Sequence, residues 1–211
     1  MKKIFITVIL TGIFTCVNIN ATEFEEKCNS GEALYCGAVA MNYLKGENGY
    51  EQNVDKGELF LNKACNLKNM DMCGILGSYY GRKKQYPEAI TAFEKACNLG
   101  STERCYTLGK IYSGGSIGPK SITKAIEYYT KACEKDNINA CYDLSLIYWE
   151  GGDDVVRNPS KSITLMDKAC SLGDKQACSS SKLFSRANKY TNDKKELGNV
   201  IRDMLDIIDN K

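Results

Sequence analysis

Cysteine has the strongest claim to chemistry in this 211-residue chain, which holds eleven cysteines and no histidine. Ten of them fall into pairs: Cys28 and Cys36, Cys65 and Cys73, Cys97 and Cys105, Cys133 and Cys141, Cys170 and Cys178, with the members of each pair eight positions apart. Paired thiols can hold a metal, pass electrons or close a disulfide. Zinc sites are built on shorter gaps, C-x2-C to C-x4-C, often with histidine, and this chain has neither. Catalytic redox pairs are typically C-x-x-C, also absent. Structural disulfides are therefore the expected use, and no metal or cofactor site is expected.

Serine is the second candidate. With no histidine, a Ser-His-Asp triad and a histidine-bound zinc hydrolase are both excluded. The remaining route is S-x-x-K with S-D-N and K-T-G companions. S-x-x-K occurs twice, at Ser121 with Lys124 and Ser179 with Lys182, and both companions are missing. The serine and lysine content of the chain yields about one or two such matches by chance. Ser121 reads more simply as a helix cap, and no catalytic residue is assigned.

These cysteines must be positioned by a repeat. Successive first cysteines are 37, 32, 36 and 37 residues apart, the mark of a repeat architecture. One recurring element is LFLNKAC, TAFEKAC, EYYTKAC, TLMDKAC; the other is CGILGSYY, CYTLGKIY, CYDLSLIY. In the first, Ile122, Ala125, Ile126, Tyr129 and Ala132 follow the three-and-four spacing of an amphipathic helix, and in the second Cys141, Leu144 and Tyr148 do the same. Pro87, Pro119 and Pro159 stand at the start of the first element, where a missing N–H costs nothing. Five helix-turn-helix units are expected over residues 22–192. A capping helix is expected within residues 193–211, docking Leu197, Val200, Ile201, Leu205 and Ile208 on the open end. One cysteine then ends a helix and its mate begins the next antiparallel helix, which brings their Cα atoms to about 5.5 Å. Each such staple stabilises by about 2 to 3 kcal/mol on the chain-entropy model.

Residues 1–21 read as a secretory leader: Lys2 and Lys3, an apolar run from Ile4 to Val17 that includes Cys16, then Ala21 before cleavage. The expected destination is the periplasm or the medium, where disulfides persist, with no stable membrane anchor after leader removal. Without Lys2 and Lys3 the chain has 26 basic and 26 acidic residues, so no basic face is expected and nucleic acid is excluded as a partner. GKIYSGGSIG has its lysine in the wrong place for a phosphate-binding loop.

AIEYYTKAC followed by CYDLSLIY, and AITAFEKACNLG followed by CYTLGKIYSGG, resemble Sel1-like repeats, relatives of the tetratricopeptide repeat. The cysteine of K-A-C and its mate eight on are similar to the pattern of the Helicobacter cysteine-rich protein family. The resemblance implies an all-α fold, a right-handed α/α superhelix (solenoid) of disulfide-stapled helix-turn-helix repeats. It departs at both ends: the first unit opens with the short TEFEEKC, and the Leu-Gly of CYTLG becomes Ser181 and Lys182 in the fifth. It also implies that the helix starting at each second cysteine lines a ligand-binding surface. The outward positions in the middle units are Asp71, Gly74, Ser78 and Gly81; Glu103, Tyr106, Lys110 and Ser113; Asn139, Tyr142, Leu146 and Trp149. The implied function is a binding module for a protein or peptide, or for a cell-wall ligand such as a peptidoglycan fragment. The alternative, which rests on the resemblance alone, is penicillin binding with weak β-lactamase activity, a β-lactam then being the ligand.

Overall fold

The computed structural model describes residues 21–115, 117–152 and 155–190, the backbone of residues 4–10 and 13–19, and residue 202. The expected capping helix lies outside the described residues. Ile4–Leu10 (β1) and Ile13–Ile19 (β2) pair antiparallel, from Ile4 opposite Ile19 to Leu10 opposite Ile13. Everything named after them is helical, as the repeat pattern predicts.

Each pair of cysteines joins two helices. The first helices are α1 (Ala21–Asn29), α3 (Val54–Asn66), α5 (Tyr86–Asn98), α7 (Ile122–Glu134) and α9 (Pro159–Ser171). The second helices are α2 (Ala33–Lys45), α4 (Met70–Arg82), α6 (Thr102–Gly114), α8 (Ile138–Glu150) and α10 (Lys175–Lys189). The chain divides into two compact units, Met1–Arg104 and Cys105–Lys211.

The three-residue turn inside each pair is built the same way every time. Its middle residue, Gly31, Lys68, Gly100, Asp136 or Gly173, has positive φ. That left-handed step lets the next N–H reach back five residues, as in Asn69 to the Ala64 carbonyl (3.1 Å) and Asn137 to Ala132 (3.0 Å), a Schellman closure of the first helix. The same residue starts the second helix: Asn69, Asn137 and Asp174 accept from backbone N–H groups of its first turn. In these three turns one residue closes one helix and opens the next, whereas Glu32 of the first turn closes α1 without a side-chain cap on α2.

Such a turn holds the cysteine Cα atoms 4.6 Å apart in Cys28–Cys36, Cys65–Cys73 and Cys170–Cys178, and 4.7 Å apart in Cys133–Cys141. All four distances lie within disulfide range and below the 5.5 Å expected. Cys97 and Cys105 are disulfide-bonded as well.

Between pairs, one position sets the packing. The residue four after a second cysteine meets the residue four before the next first cysteine. A Cβ on Gly77 would stand 2.5 Å from the Phe93 ring, and one on Gly109 would collide with Tyr129. At the equivalent places Ala40 and Leu61 share one core cluster, and Ser145 and Met166 are both fully buried. Small faces large at every step, and a ring fits only where the partner is glycine. In the first unit, α1 is tied down by Tyr50, whose hydroxyl donates to the Ala21 carbonyl (2.7 Å), and by Tyr43, which donates to Glu25 (2.7 Å).

Candidate functional site

The expected ligand-lining residues sit on α4, α6 and α8. In the first unit Asp71 is exposed, and the Ser78 hydroxyl donates to the Gly74 carbonyl (3.1 Å). Gly74 does not face outward: it is buried, and a Cβ there would come within 2.9 Å of Arg104 Nε. Arg104 lies over the Phe93 ring, 5.4 Å from its centroid, so its guanidinium roofs the α4 surface where a ligand was expected. Gly81 is open. Glu103 is exposed, its carboxylate 3.8 Å from Arg104.

The second unit carries the aromatic part. Tyr106 on α6 lies 5.8 Å from Tyr129, with the Lys110 ammonium 5.6 Å from its centroid. Burial, then the charge of Asp143 and a hydrogen bond to it, push the Tyr106 hydroxyl up to about 12. Tyr129 is pushed to about 12 as well, again chiefly by burial, while its hydroxyl shares a 3.1 Å hydrogen bond with Ser113. On α8, Asn139 is exposed, while Tyr142, Leu146 and Trp149 are half-buried. They recur at three- and four-residue steps, which places them on one helical stripe. Trp149 is held on both faces, by Phe184 at 3.9 Å and by Arg157 at 4.7 Å, so a ligand would meet its edge.

Four residues of this surface escape a reading by spacing: Arg104, Asp143, Arg157 and Phe184. Asp143 had a faint signal, since the position two after the second cysteine is Ile75 or Thr107 in the neighbouring units. Arg157 and Phe184 come from other elements than the stripe they cover, and no local pattern announces them.

The two S-x-x-K matches are structural. Ser121 caps α7, accepting from the Lys124 backbone N–H, and the Lys124 ammonium lies 3.5 Å from the Tyr112 hydroxyl and over its ring. The same arrangement recurs with asparagine: Asn53 caps Lys56, which reaches Tyr43, and Asn158 caps Lys161, which reaches Tyr148. Asparagine in two of the three copies shows that the position needs a hydrogen-bond acceptor and not a nucleophile. Ser121 borders a cleft of about 430 Å³ with Glu150 and Lys120, but its oxygen is committed to the cap. Ser179 donates back to the Lys175 carbonyl (3.2 Å).

The Sel1 repeat model matches residues 33–69, 105–137 and 138–174, and a tetratricopeptide repeat model matches residues 71–99. The chain belongs to the Sel1 repeat family. Each matched Sel1 repeat consists of a second helix and the first helix that follows it, such as α2 with α3 or α8 with α9. The disulfides therefore link successive Sel1 repeats. A Sel1 repeat protein from Oxalobacter formigenes is similar in structure, with a TM-score of 0.54 and 18% identity over 76% of this chain and 65% of that one, which shows the shared solenoid fold. Cysteine rich protein B of Helicobacter pylori is 33% identical, over 60% of this chain and 93% of that one, with a TM-score of 0.45. A protective antigen of uropathogenic Escherichia coli with an SLR fold is 19% identical over 86% of this chain, with a TM-score of 0.44. The chain spans 65% of the Oxalobacter structure and 47% of the Escherichia structure, less than two thirds of each. No curated protein matches it.

Proposed function

We propose that this Sel1 repeat protein is an exported binding module whose contact surface in the second unit is the α8 stripe Tyr142, Leu146 and the Trp149 edge, flanked by Tyr106 and Lys110 of α6. Repeats of this family and of the tetratricopeptide family generally serve protein interaction, and the ligand class that fits is a protein or peptide segment. The observation that carries this reading is a stripe of large amphipathic and apolar side chains left half-buried on α8, while the matching stripe on α4 is small, polar and roofed by Arg104. Partly exposed tyrosine and tryptophan are residue types enriched at binding hot spots. The leader-like residues 1–21 and the disulfides, which form and persist in oxidising compartments, support export. Among the described residues no helix is long and apolar enough to cross a membrane.

The test starts from peptides selected by display against the oxidised protein, with peptidoglycan fragments titrated in parallel. Trp149 is the sole tryptophan of the chain, so its fluorescence reports occupancy of the stripe directly. Tyr142→Ala with Leu146→Asp is expected to weaken the selected ligand at least about tenfold with helix content unchanged. Ligands that bind this variant as tightly as the parent would place the surface elsewhere.

A further inference from the structure

The lysine–tyrosine pairing that recurs between repeats is broken at one place. Tyr43, Tyr112 and Tyr148, each seven after a second cysteine, have their hydroxyls 3.4, 3.5 and 2.8 Å from Lys56, Lys124 and Lys161. The corresponding residues of the α4–α5 junction are Tyr80 and Glu88. Glu88 is exposed and has no hydrogen-bond or ion-pair partner among the described residues. A hollow of about 270 Å³ lies at this junction.

The hollow has opposite charges at its ends. Glu88, Thr91 and Lys95 line it along α5. Glu88 and Lys95 are two helical turns apart, about 10 Å at the rise of an α-helix. Leu76 and Ala92 supply an apolar floor, and Asn62 and Tyr80 the facing wall. Asn62 donates through Nδ2 to the Tyr80 hydroxyl (2.9 Å) and the Glu58 carbonyl (3.1 Å), which leaves its Oδ1 to accept. The Lys95 ammonium donates to Asn66 (2.9 Å) and keeps two further N–H groups.

We propose that this hollow binds a short zwitterionic peptide of about three residues with both termini free, its ammonium on Glu88 and its carboxylate on Lys95. An extended chain advances about 3.3 to 3.6 Å per residue, so three residues match the rise of α5 between Glu88 and Lys95. The limited volume and apolar floor favour small side chains, and Asn62 Oδ1 is placed to accept a peptide N–H. The site is separate from the α8 stripe: it lies wholly in the first unit, on the opposite side of α4 from Ser78.

The test uses the whole oxidised protein, titrated with trialanine and followed by amide chemical shifts. Saturable shifts are expected at Thr91, Ala92 and Lys95, with a Kd of about 1 mM, as suits so small a ligand. N-acetyl-trialanine and trialanine amide are each expected to bind more weakly, by up to about fivefold. Glu88→Lys restores the recurring lysine opposite Tyr80, so this variant should fold with an undiminished thermal midpoint and lose the shifts. Lys95→Met should lose the preference for a free carboxylate. The proposal is overturned by absence of shifts at tens of millimolar peptide, by equal binding of the capped peptides, or by a folded Glu88→Lys protein that still binds. Shifts confined to α8 would overturn it too, and would give the peptide to the stripe of the second unit.

Discussion

Trp149 of α8 lies flat on Phe184 of α10, ring centroids 3.9 Å apart and planes inclined by 17°, with the Arg157 guanidinium over its other face. A residue that spacing places on the ligand surface is thereby also a clamp between two elements of the second unit. Trp149→Ala is expected to destabilise the oxidised protein by about 2 kcal/mol, below the cost for a fully buried tryptophan. A double-mutant cycle with Phe184→Ala should return a coupling of about 1 kcal/mol. Urea denaturation measures both, and strictly additive effects would show that the stack contributes nothing beyond area.

Gly77 and Phe93 make a sharper test. Alanine is the better helix former by about 1 kcal/mol, so Gly77→Ala would stabilise an isolated α4. Here the added Cβ would stand 2.5 Å from a buried ring, and a net loss of about 2 kcal/mol is expected. Phe93→Leu should recover most of it in the double variant, because the first junction already pairs alanine with leucine at Ala40 and Leu61. Thermal melts of the two single variants and the double decide it; a double variant no better than Gly77→Ala alone would refute the size-matching rule.

Ser162 sits where other units have Gly57, Ala89 and Ala125. It is fully buried, and its hydroxyl has no hydrogen-bond partner among the described residues. An unsatisfied buried hydroxyl costs about 1 to 3 kcal/mol. Ser162→Ala should therefore raise stability by about 1 kcal/mol, and a loss on that substitution would mean that the hydroxyl has a partner in solution.

The helices, the disulfide pairing and the place of each turn were legible in the sequence because one spacing repeats with a fixed phase. A three-residue turn with Asp136 in the left-handed region brings the Cα atoms of Cys133 and Cys141 to 4.7 Å. What repetition cannot report is a contact made by the residues in which the units differ. Arg104 over Phe93, Arg157 over Trp149 and Asp143 beside Tyr106 are each specific to one unit. Gly74 illustrates the cost: its phase pointed to an open surface, and an arginine two residues into α6 closes that surface.

Ser121 separates a capping role from a catalytic one. Ser121→Asn reproduces what stands at Asn53 and Asn158 and should leave stability unchanged, whereas Ser121→Ala should cost about 1 kcal/mol. Intact mass after incubation with excess penicillin is expected to show no adduct on Ser121. An acyl adduct that maps there and vanishes in the asparagine variant would reverse this conclusion.

The tyrosines give the fold an alkaline limit. Tyr50, Tyr106 and Tyr129 are each pushed up to about 12, first by burial, with Glu25 behind Tyr50 and Asp143 acting on the other two. In the unfolded chain they ionise near their ordinary value of about 10. Below that value both states keep the proton and the stability these groups contribute is fully present. Between about 10 and 12 the unfolded chain has released protons that the folded protein still holds, so stability falls as pH rises through this window. Phenolate absorbance of the folded, oxidised protein should therefore still be rising near pH 12, with Tyr50, Tyr106 and Tyr129 as its late group. Tyr106→Phe should remove one tyrosine from the later group, and Asp143→Asn should shift Tyr106 and Tyr129 back toward 10 by removing a charge that opposes their ionisation. A single titration step near pH 10 in the folded, oxidised protein would contradict the burial of all three.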